Sequence, residues 1–161
     1  MPPRPEHSPS SAIRAFVAAN LDPGLKAKIA LVQDRLKASR ADVGWVRPEN
    51  LHLTLKFLGH VEEASLEAIA EAVESAALGY GCFRLAFAGL GAFPQPRAAR
   101  VVWIGVSDGA QALAGLQARL EARLESLGFP REARPFAAHL TLGRVRGPER
   151  REQLAAVLTS L

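Results

Sequence analysis

The sequence predicts an α+β fold in which antiparallel sheets carry helices on their outer faces. Apolar stretches of strand length alternate with longer segments whose apolar residues recur at helical spacing. The sequence has no glycine-rich loop of the kind that joins a strand directly to a helix in nucleotide-binding parallel sheets. In addition, Arg-Pro, three further residues and His-Leu-Thr-Leu occur at 47–55 and again at 134–142. This internal repeat predicts two copies related by an approximate two-fold axis.

In the first half of the chain, the boundaries of the predicted elements follow from capping and turn residues. Asp22 can cap a helix that has Pro23 at its first position, and Leu66 is among the apolar residues that the second helix should bury. Gly59 is expected to end the strand that contains the first motif. The predicted elements are a strand at 13–19, a helix from 23 to about 39, an extended piece at 43–46, a strand at 51–58 and a helix from 62 to about 78.

The second half repeats this order approximately. Ser107 or Asp108 can cap a long helix with a leucine stripe that includes Leu127, and Gly128 is its expected C-terminal stop. Gly147-Pro148 opens a last short helix with Leu161 on its apolar side. The predicted strands are 83–88 and 100–106, joined by a loop at 89–96, and 138–145, which contains the second motif.

Length and composition indicate one soluble domain. A chain of 161 residues can bury an adequate core, so we expect a flexible leader at 1–11 and a single domain at 12–161. No apolar run approaches the roughly 20 residues of a membrane span, and residues 1–11 do not resemble a signal peptide, which predicts a cytoplasmic protein. One cysteine, Cys82, excludes an internal disulfide framework, and it is expected to be a buried small hydrophobe. The net charge of +4 is compatible with an anionic partner but is not specific to one.

The repeated motif supplies paired acid–base groups. In a strand, alternate side chains share a face, so His52 lies beside Thr54 and His139 lies beside Thr141, with leucines on the opposite faces. Imidazole has an unperturbed pKa of about 6.5, so one copy can be neutral while the other is protonated. A neutral imidazole can activate a nucleophile, a charged one can protonate a leaving oxygen, and hydroxyls can hold phosphate oxygens. The motif therefore predicts displacement at phosphorus without a metal or other cofactor.

Other interpretations of these residues remain open. A single histidine is more often structural than catalytic, and imidazole is also a common metal ligand. A metal site would need further ligands, because the residue two places after each histidine is threonine in both copies. Lys56 continues the face of His52 and Thr54, where it would contact a phosphate or lie at the surface. Arg144 has the opposite parity to His139 unless Gly143 forms a bulge.

Aromatic residues give a further alternative. Trp45, Phe57, Phe93 and Trp103 could stack on bases as aromatics do in single-stranded RNA binding, but core packing is the expectation for each.

At these residues the chain resembles the 2H phosphoesterase superfamily, and within it the RNA 2′,3′-cyclic phosphodiesterase branch, also called 2′-5′ RNA ligase. The similarity rests on both motifs, Arg134-Pro135-Phe136, and the stretches 48–59 and 89–94, and it extends from about residue 13 to residue 145. Ala137 and Ala138 depart from the family pattern just before the second histidine, but neither is an acting residue.

The resemblance implies a bilobal fold with two pseudo-symmetric lobes and both motif strands lining a central cleft. It implies metal-independent hydrolysis of an RNA-terminal 2′,3′-cyclic phosphate to a 2′-phosphate, with reversible 2′-5′ ligation as an additional activity. His52 would be the proton donor and His139 the proton acceptor, while Thr54 and Thr141 would bind the phosphate; the motifs themselves do not distinguish the two histidine roles. The expected partner is RNA with a cyclic phosphate end, and the protein is expected to be a monomer. The alternatives are an RNA-end binding module without turnover and a phosphodiesterase for another cyclic or 2′-5′-linked nucleotide.

Overall fold

The strands form two antiparallel sheets, in agreement with the predicted α+β class. A computed structural model describes residues 12–161, so the leader predicted at 1–11 lies outside the described residues. The elements are β1 (Ala12–Asn20), α1 (Pro23–Lys37), β2 (Val43–Trp45), β3 (His52–Glu62), α2 (Leu66–Ala77), β4 (Ala86–Phe93), β5 (Val101–Asp108), α3 (Ala110–Glu125), β6 (His139–Val145) and α4 (Arg151–Ser160). Short 3-10 helices occupy Pro48–Asn50, Glu63–Ser65 and Pro96–Ala98.

Each sheet contains one motif strand. β1 pairs with β3, which carries the first motif, and the second sheet has the order β2-β6-β5-β4, with the second motif on β6. The sheets therefore differ in size, with two and four strands among residues 12–161.

Each of the two hydrophobic cores includes one helix that follows a strand of the other sheet. Residues of α1 and α4 pack in one core with the four-stranded sheet, although α1 follows β1 of the smaller sheet. Residues of α2 and α3 pack in the second core with the two-stranded sheet, although α3 follows β5. This exchange of helices links the two halves.

The leucines of both motifs anchor their strands in a single core. Leu51 and Leu53 of the first repeat and Leu140 and Leu142 of β6 are fully buried and belong to the same cluster. Burying each such side chain contributes about 1.5–3 kcal/mol. Because side chains alternate along a strand, this burial directs the histidines and threonines to the opposite face.

Three predicted boundaries are wrong because glycines with positive φ form bulges or caps. β3 continues through Gly59 (φ 75°) to Glu62, where the sequence predicted a stop. β4 runs through Gly89 (φ 76°) to Phe93, so most of the predicted 89–96 loop is strand, and residues 83–85 precede the strand. Such bulges insert a residue without ending the pairing. α3 is capped by Gly109 (φ 75°) instead of Ser107 or Asp108, which lie in β5, and a Cβ at Gly109 would overlap the Arg84 carbonyl oxygen.

Other local expectations had mixed outcomes. The Leu25 amide donates to Asp22 Oδ1 over 2.9 Å, which confirms the cap of α1, and Gly128 (φ 90°) follows the end of α3 as predicted. Leu66, Leu127 and Leu161 are exposed rather than buried, and so is Cys82. All three leucines lie at or beyond the end of a helix, where one side of the residue has no packing neighbour.

Candidate active site

Both motif histidines are held by the same local hydrogen bond. His52 Nδ1 lies 2.7 Å from the carbonyl oxygen of Asn50, and His139 Nδ1 lies 2.7 Å from that of Ala137. A carbonyl can only accept, so each Nδ1 carries a proton and donates it. Nε2 is consequently the nitrogen available for chemistry, either as an acceptor in the neutral ring or as a donor in the charged ring. The repeat thus reproduces the tautomer as well as the residue type.

A cleft between β3 and β6 brings most of the predicted site residues together. A cavity of about 450 Å³ is lined by Thr54 of β3 and by His139, Thr141 and Arg144 of β6. His52 lines a neighbouring concavity with Phe16 and other residues, two places before Thr54 on the same strand face. A larger concavity of about 820 Å³ between residues 95–97 and α4 contains neither motif. Thr54, His139, Thr141 and Arg144 therefore line one cleft, and His52 lies next to Thr54 on the same face of β3.

Matching bulges follow the two motifs. On β6, Thr141 pairs with Trp103 and Gly143 with Val102, so Leu142 has no partner on β5. On β3, Thr54 pairs with Ala18 and Lys56 with Val17, which leaves the equivalent Leu55 without a partner on β1. An extra residue reverses the face on which later side chains emerge.

The bulges determine the strand face on which the third residue after each threonine emerges. Arg144 follows Thr141 by three places and lines the cavity, as predicted for a bulge near Gly143. Phe57 follows Thr54 by three places and lines the same cavity. Its side chain is 58% exposed, so the expectation that Phe57 packs in the core is wrong.

Lys56 does not continue the face of His52 and Thr54, which corrects the expected parity. Its ammonium donates to Glu121 Oε2 over 2.7 Å and to the Pro130 carbonyl over 2.8 Å. Only 2% of the Lys56 side chain is exposed, and 7% of that of Glu121. Although Lys56 borders the cavity, two of its three donors are engaged inside the protein, and it links β3 to α3 and to the segment before β6.

Aromatic rings flank both imidazoles. Phe16 of β1 stacks on His52 with 4.8 Å between ring centroids and an interplanar angle of 24°. Phe93 meets His139 edge to face at 5.0 Å and 86°, with Trp103 at 6.3 Å. Phe93 lines the cavity and is 37% exposed, so it too was wrongly expected in the core. Sequence reasoning missed Phe16 because its position beside His52 depends on the pairing of β1 with β3.

The structure contains neither a cluster of metal-ligand side chains nor a membrane-spanning helix within residues 12–161. Within residues 12–161, no three His, Cys, Asp or Glu side chains are grouped as metal ligands would be. None of the helices between residues 12 and 161 has both the length and the apolar character needed to cross a membrane.

Comparison with known proteins gives consistent matches along the chain. The family model described as LigT like Phosphoesterase matches residues 20–103 and 104–161. An RNA 2′,3′-cyclic phosphodiesterase from Methanothermobacter thermautotrophicus is 43% identical over 149 residues, which cover 92% of this chain and 80% of that protein. One from Archaeoglobus fulgidus is 40% identical, over 83% of this chain and 73% of that protein.

Solved structures agree with the sequence matches. The crystal structure of TT0787 of Thermus thermophilus superposes with a TM-score of 0.70 at 31% identity, covering 84% of this chain and 76% of that one. Apo LigT of E. coli has a TM-score of 0.67 at 26% identity, covering 86% and 75%. These matches confirm the predicted superfamily and its two-lobed fold. The chain belongs to the LigT-like phosphoesterase family.

Proposed function

We propose that this protein is an RNA 2′,3′-cyclic phosphodiesterase that converts a terminal cyclic phosphate to a 2′-phosphate without a metal. The observation that carries the proposal is the pair of imidazoles, each with Nδ1 hydrogen-bonded to a carbonyl oxygen, which leaves Nε2 as the nitrogen for proton transfer. Relatives up to 43% identical carry the name of this activity. This reaction needs one proton acceptor and one proton donor, and the two imidazoles can supply both.

In the proposed reaction, His139 Nε2 accepts a proton from water while the water oxygen bonds to phosphorus. The bond from phosphorus to O3′ breaks, and His52 Nε2 donates its proton to the departing O3′. This allocation of roles follows the family resemblance. The product retains its phosphate on O2′, and the two histidines finish in exchanged protonation states, which solvent resets.

The remaining polar groups stabilise the charge on phosphorus. Thr54 and Thr141 line the same cavity from opposite strands, so their hydroxyls can donate to the non-bridging oxygens. The Arg144 guanidinium can make a forked contact to the same group. Lys56 is not assigned a phosphate contact, because its ammonium is held by Glu121 and Pro130.

Phe57 provides a surface for the terminal base. Its exposed ring lines the cavity three residues after Thr54, and stacking on an aromatic ring contributes about 1–3 kcal/mol per base without selecting sequence. The substrate is accordingly RNA rather than a free cyclic diester without a base.

The same groups also support the same displacement with a different nucleophile. If a 5′-hydroxyl replaces water as the nucleophile, attack on the cyclic phosphate gives a 2′-5′ linkage, and we propose this ligation as a minor activity. Both motifs lie on the one described chain, which supports our proposal that the protein acts as a monomer. We also propose that it acts on RNA in the cytoplasm.

The test is incubation with a short RNA that ends in a 2′,3′-cyclic phosphate, in the presence of a chelator. Conversion to a 2′-phosphate at an undiminished rate is expected, with the phosphate position determined by chromatography against 2′- and 3′-phosphate standards. Loss of activity in chelator and recovery with a divalent cation would favour a metal-dependent phosphoesterase. Binding without conversion would favour an RNA-end binding module.

A further inference from the structure

A second arginine lies beyond Arg144 on the cleft face of the larger sheet. The Arg146 amide donates to the Asp42 carbonyl over 2.9 Å, so the pairing of β6 with the β2 segment extends to this residue. Residues two apart on a strand point to the same face and lie roughly 6.6 Å from each other. Arg146 therefore follows Arg144 on the face that lines the cavity.

Gly44 on the edge strand β2 leaves the space that the Arg146 side chain occupies. Gly44 pairs with Arg144, while its neighbours Val43 and Trp45 pack against the core on the other face. A Cβ at Gly44 would lie only 2.7 Å from Arg146 Nε, 2.8 Å from Nη2 and 3.0 Å from Cζ. The guanidinium thus rests on the β2 backbone, in the space that a side chain at position 44 would fill.

The two arginines form an exposed pair without acidic partners. Both residues are exposed, and the ion pairs within residues 12–161 are Lys37–Asp34, Lys56–Glu121 and Arg131–Glu125. Each guanidinium can therefore bind an anionic group of a ligand. The pair is consequently suited to a ligand with two negative groups.

We propose that Arg146 binds the phosphodiester on the 5′ side of the terminal nucleotide, while Arg144 binds the reacting cyclic phosphate. This inference rests on the proposed function. In a single-stranded RNA the next negative charge lies one nucleotide from the terminal phosphate, and the Arg146 guanidinium lies beside Arg144, over its pairing partner Gly44 on the same face. Arginine binds phosphate oxygens through parallel N–H donors, which suits a group that positions the chain without taking part in the reaction. The site therefore distinguishes an RNA end from a free cyclic mononucleotide.

The test compares two substrates in wild type and Arg146→Ala. Adenosine 2′,3′-cyclic phosphate lacks the 5′ phosphodiester, and ApA ending in a cyclic phosphate has it. Removing one charge-assisted contact should raise KM for the dinucleotide about tenfold. The same variant should leave kcat for both substrates, and KM for the mononucleotide, unchanged within about twofold.

Two further variants isolate the cause. Gly44→Ala should displace the guanidinium and reproduce part of the dinucleotide defect with Arg146 still present, because the group in its way is the mobile end of a side chain. Arg35→Ala removes an equal charge from α1, which packs on the opposite face of the same sheet, and should leave both substrates unaffected. The slope of log affinity for the dinucleotide against log salt concentration should decrease by the amount expected for about one phosphate contact in Arg146→Ala, and should stay unchanged in Arg35→Ala.

Equal effects of Arg146→Ala on both substrates would overturn the assignment, as would no effect on either. If the wild-type protein hydrolyses neither substrate, the proposed function fails instead. Affinity for ApA bearing a 2′-phosphate, measured by calorimetry, then still decides the role of Arg146, because it requires no turnover.

Discussion

At the scale of single residues, the two motif histidines are equivalent in tautomer and differ in their surroundings. Each should be indispensable, since a positioned general acid or base typically contributes 10²- to 10⁴-fold. His52→Ala and His139→Ala should each lower kcat by about this factor, while leaving the unfolding transition close to that of wild type. Single-turnover rates with an RNA cyclic phosphate would measure the loss.

His60→Ala is the matched control for these variants. His60 lies on β3 with His52 but is exposed and lines neither the cavity nor the neighbouring concavity. Its replacement should leave turnover unchanged. A defect in His60→Ala as large as that in His52→Ala would mean that histidine loss acts through the strand rather than through proton transfer.

The paired mechanism also predicts the shape of the pH profile. Turnover needs one neutral and one protonated imidazole, so kcat/KM should rise and then fall with pH, and the two limbs belong to the pair rather than to either residue. Removing one imidazole should abolish one limb of the residual activity. A profile that is flat from about pH 5 to 9 would contradict the mechanism.

At the scale of elements, the sequence predicted what depends on local chemistry and missed what depends on strand pairing. Asp22 caps the start of α1 and Gly128 follows the end of α3 for reasons contained in a few residues, and the His-x-Thr parity needs only one strand. By contrast, the bulges at Leu55 and Leu142 exist only relative to β1 and β5. These bulges place Lys56 on the opposite face from His52 and Thr54, and they bring Phe57 and Arg144 to the face that lines the cavity. The positions of these three side chains could therefore not be assigned from one strand alone.

The altered position of Lys56 gives a stability prediction. Lys56→Met leaves the Glu121 carboxylate buried without its cation, which should cost about 3–5 kcal/mol of unfolding free energy. Lys56→Met with Glu121→Leu replaces the pair by apolar side chains and should recover part of this loss, because the buried Gln117 amide, which donates to Glu121 Oε1 over 2.9 Å, then lacks its acceptor. Urea unfolding followed by circular dichroism would measure both.

An exposed ion pair provides the comparison for the Lys56 and Glu121 variants. The Lys37 and Asp34 side chains are 47% and 62% exposed, and Lys37→Met should change stability by less than about 1 kcal/mol. If Lys56→Met were equally mild, water would have to reach Glu121, and the link from β3 to Pro130 would contribute little to the shape of the cleft.

At the scale of the whole molecule, the site depends on how the two halves share their cores. The repeat predicted two related copies. It did not predict that α1, which follows a strand of the smaller sheet, packs in the core of the larger one, or that most of α3, which follows a strand of the larger sheet, packs in the core of the smaller one. Which apolar faces meet is decided by contacts distant in sequence, which a stripe of leucines does not specify. The leucines behind both motifs nevertheless meet in one core, so β3 and β6 are joined beneath the cleft.

This shared core predicts that activity and global structure are lost together. Leu53 and Leu140 belong to one buried cluster, so the cleft should not open before the fold does, and the urea midpoints for activity and for circular dichroism should coincide. Leu53→Ala should shift both midpoints equally, through a loss of about 2–5 kcal/mol of unfolding free energy. Ile69→Ala, in the other core, gives the decisive comparison: if it lowered only the activity midpoint, the smaller sheet would separate from the larger one as an independent unit before unfolding. Coincident shifts in both variants would instead establish that each half of the site is held in place by the whole domain.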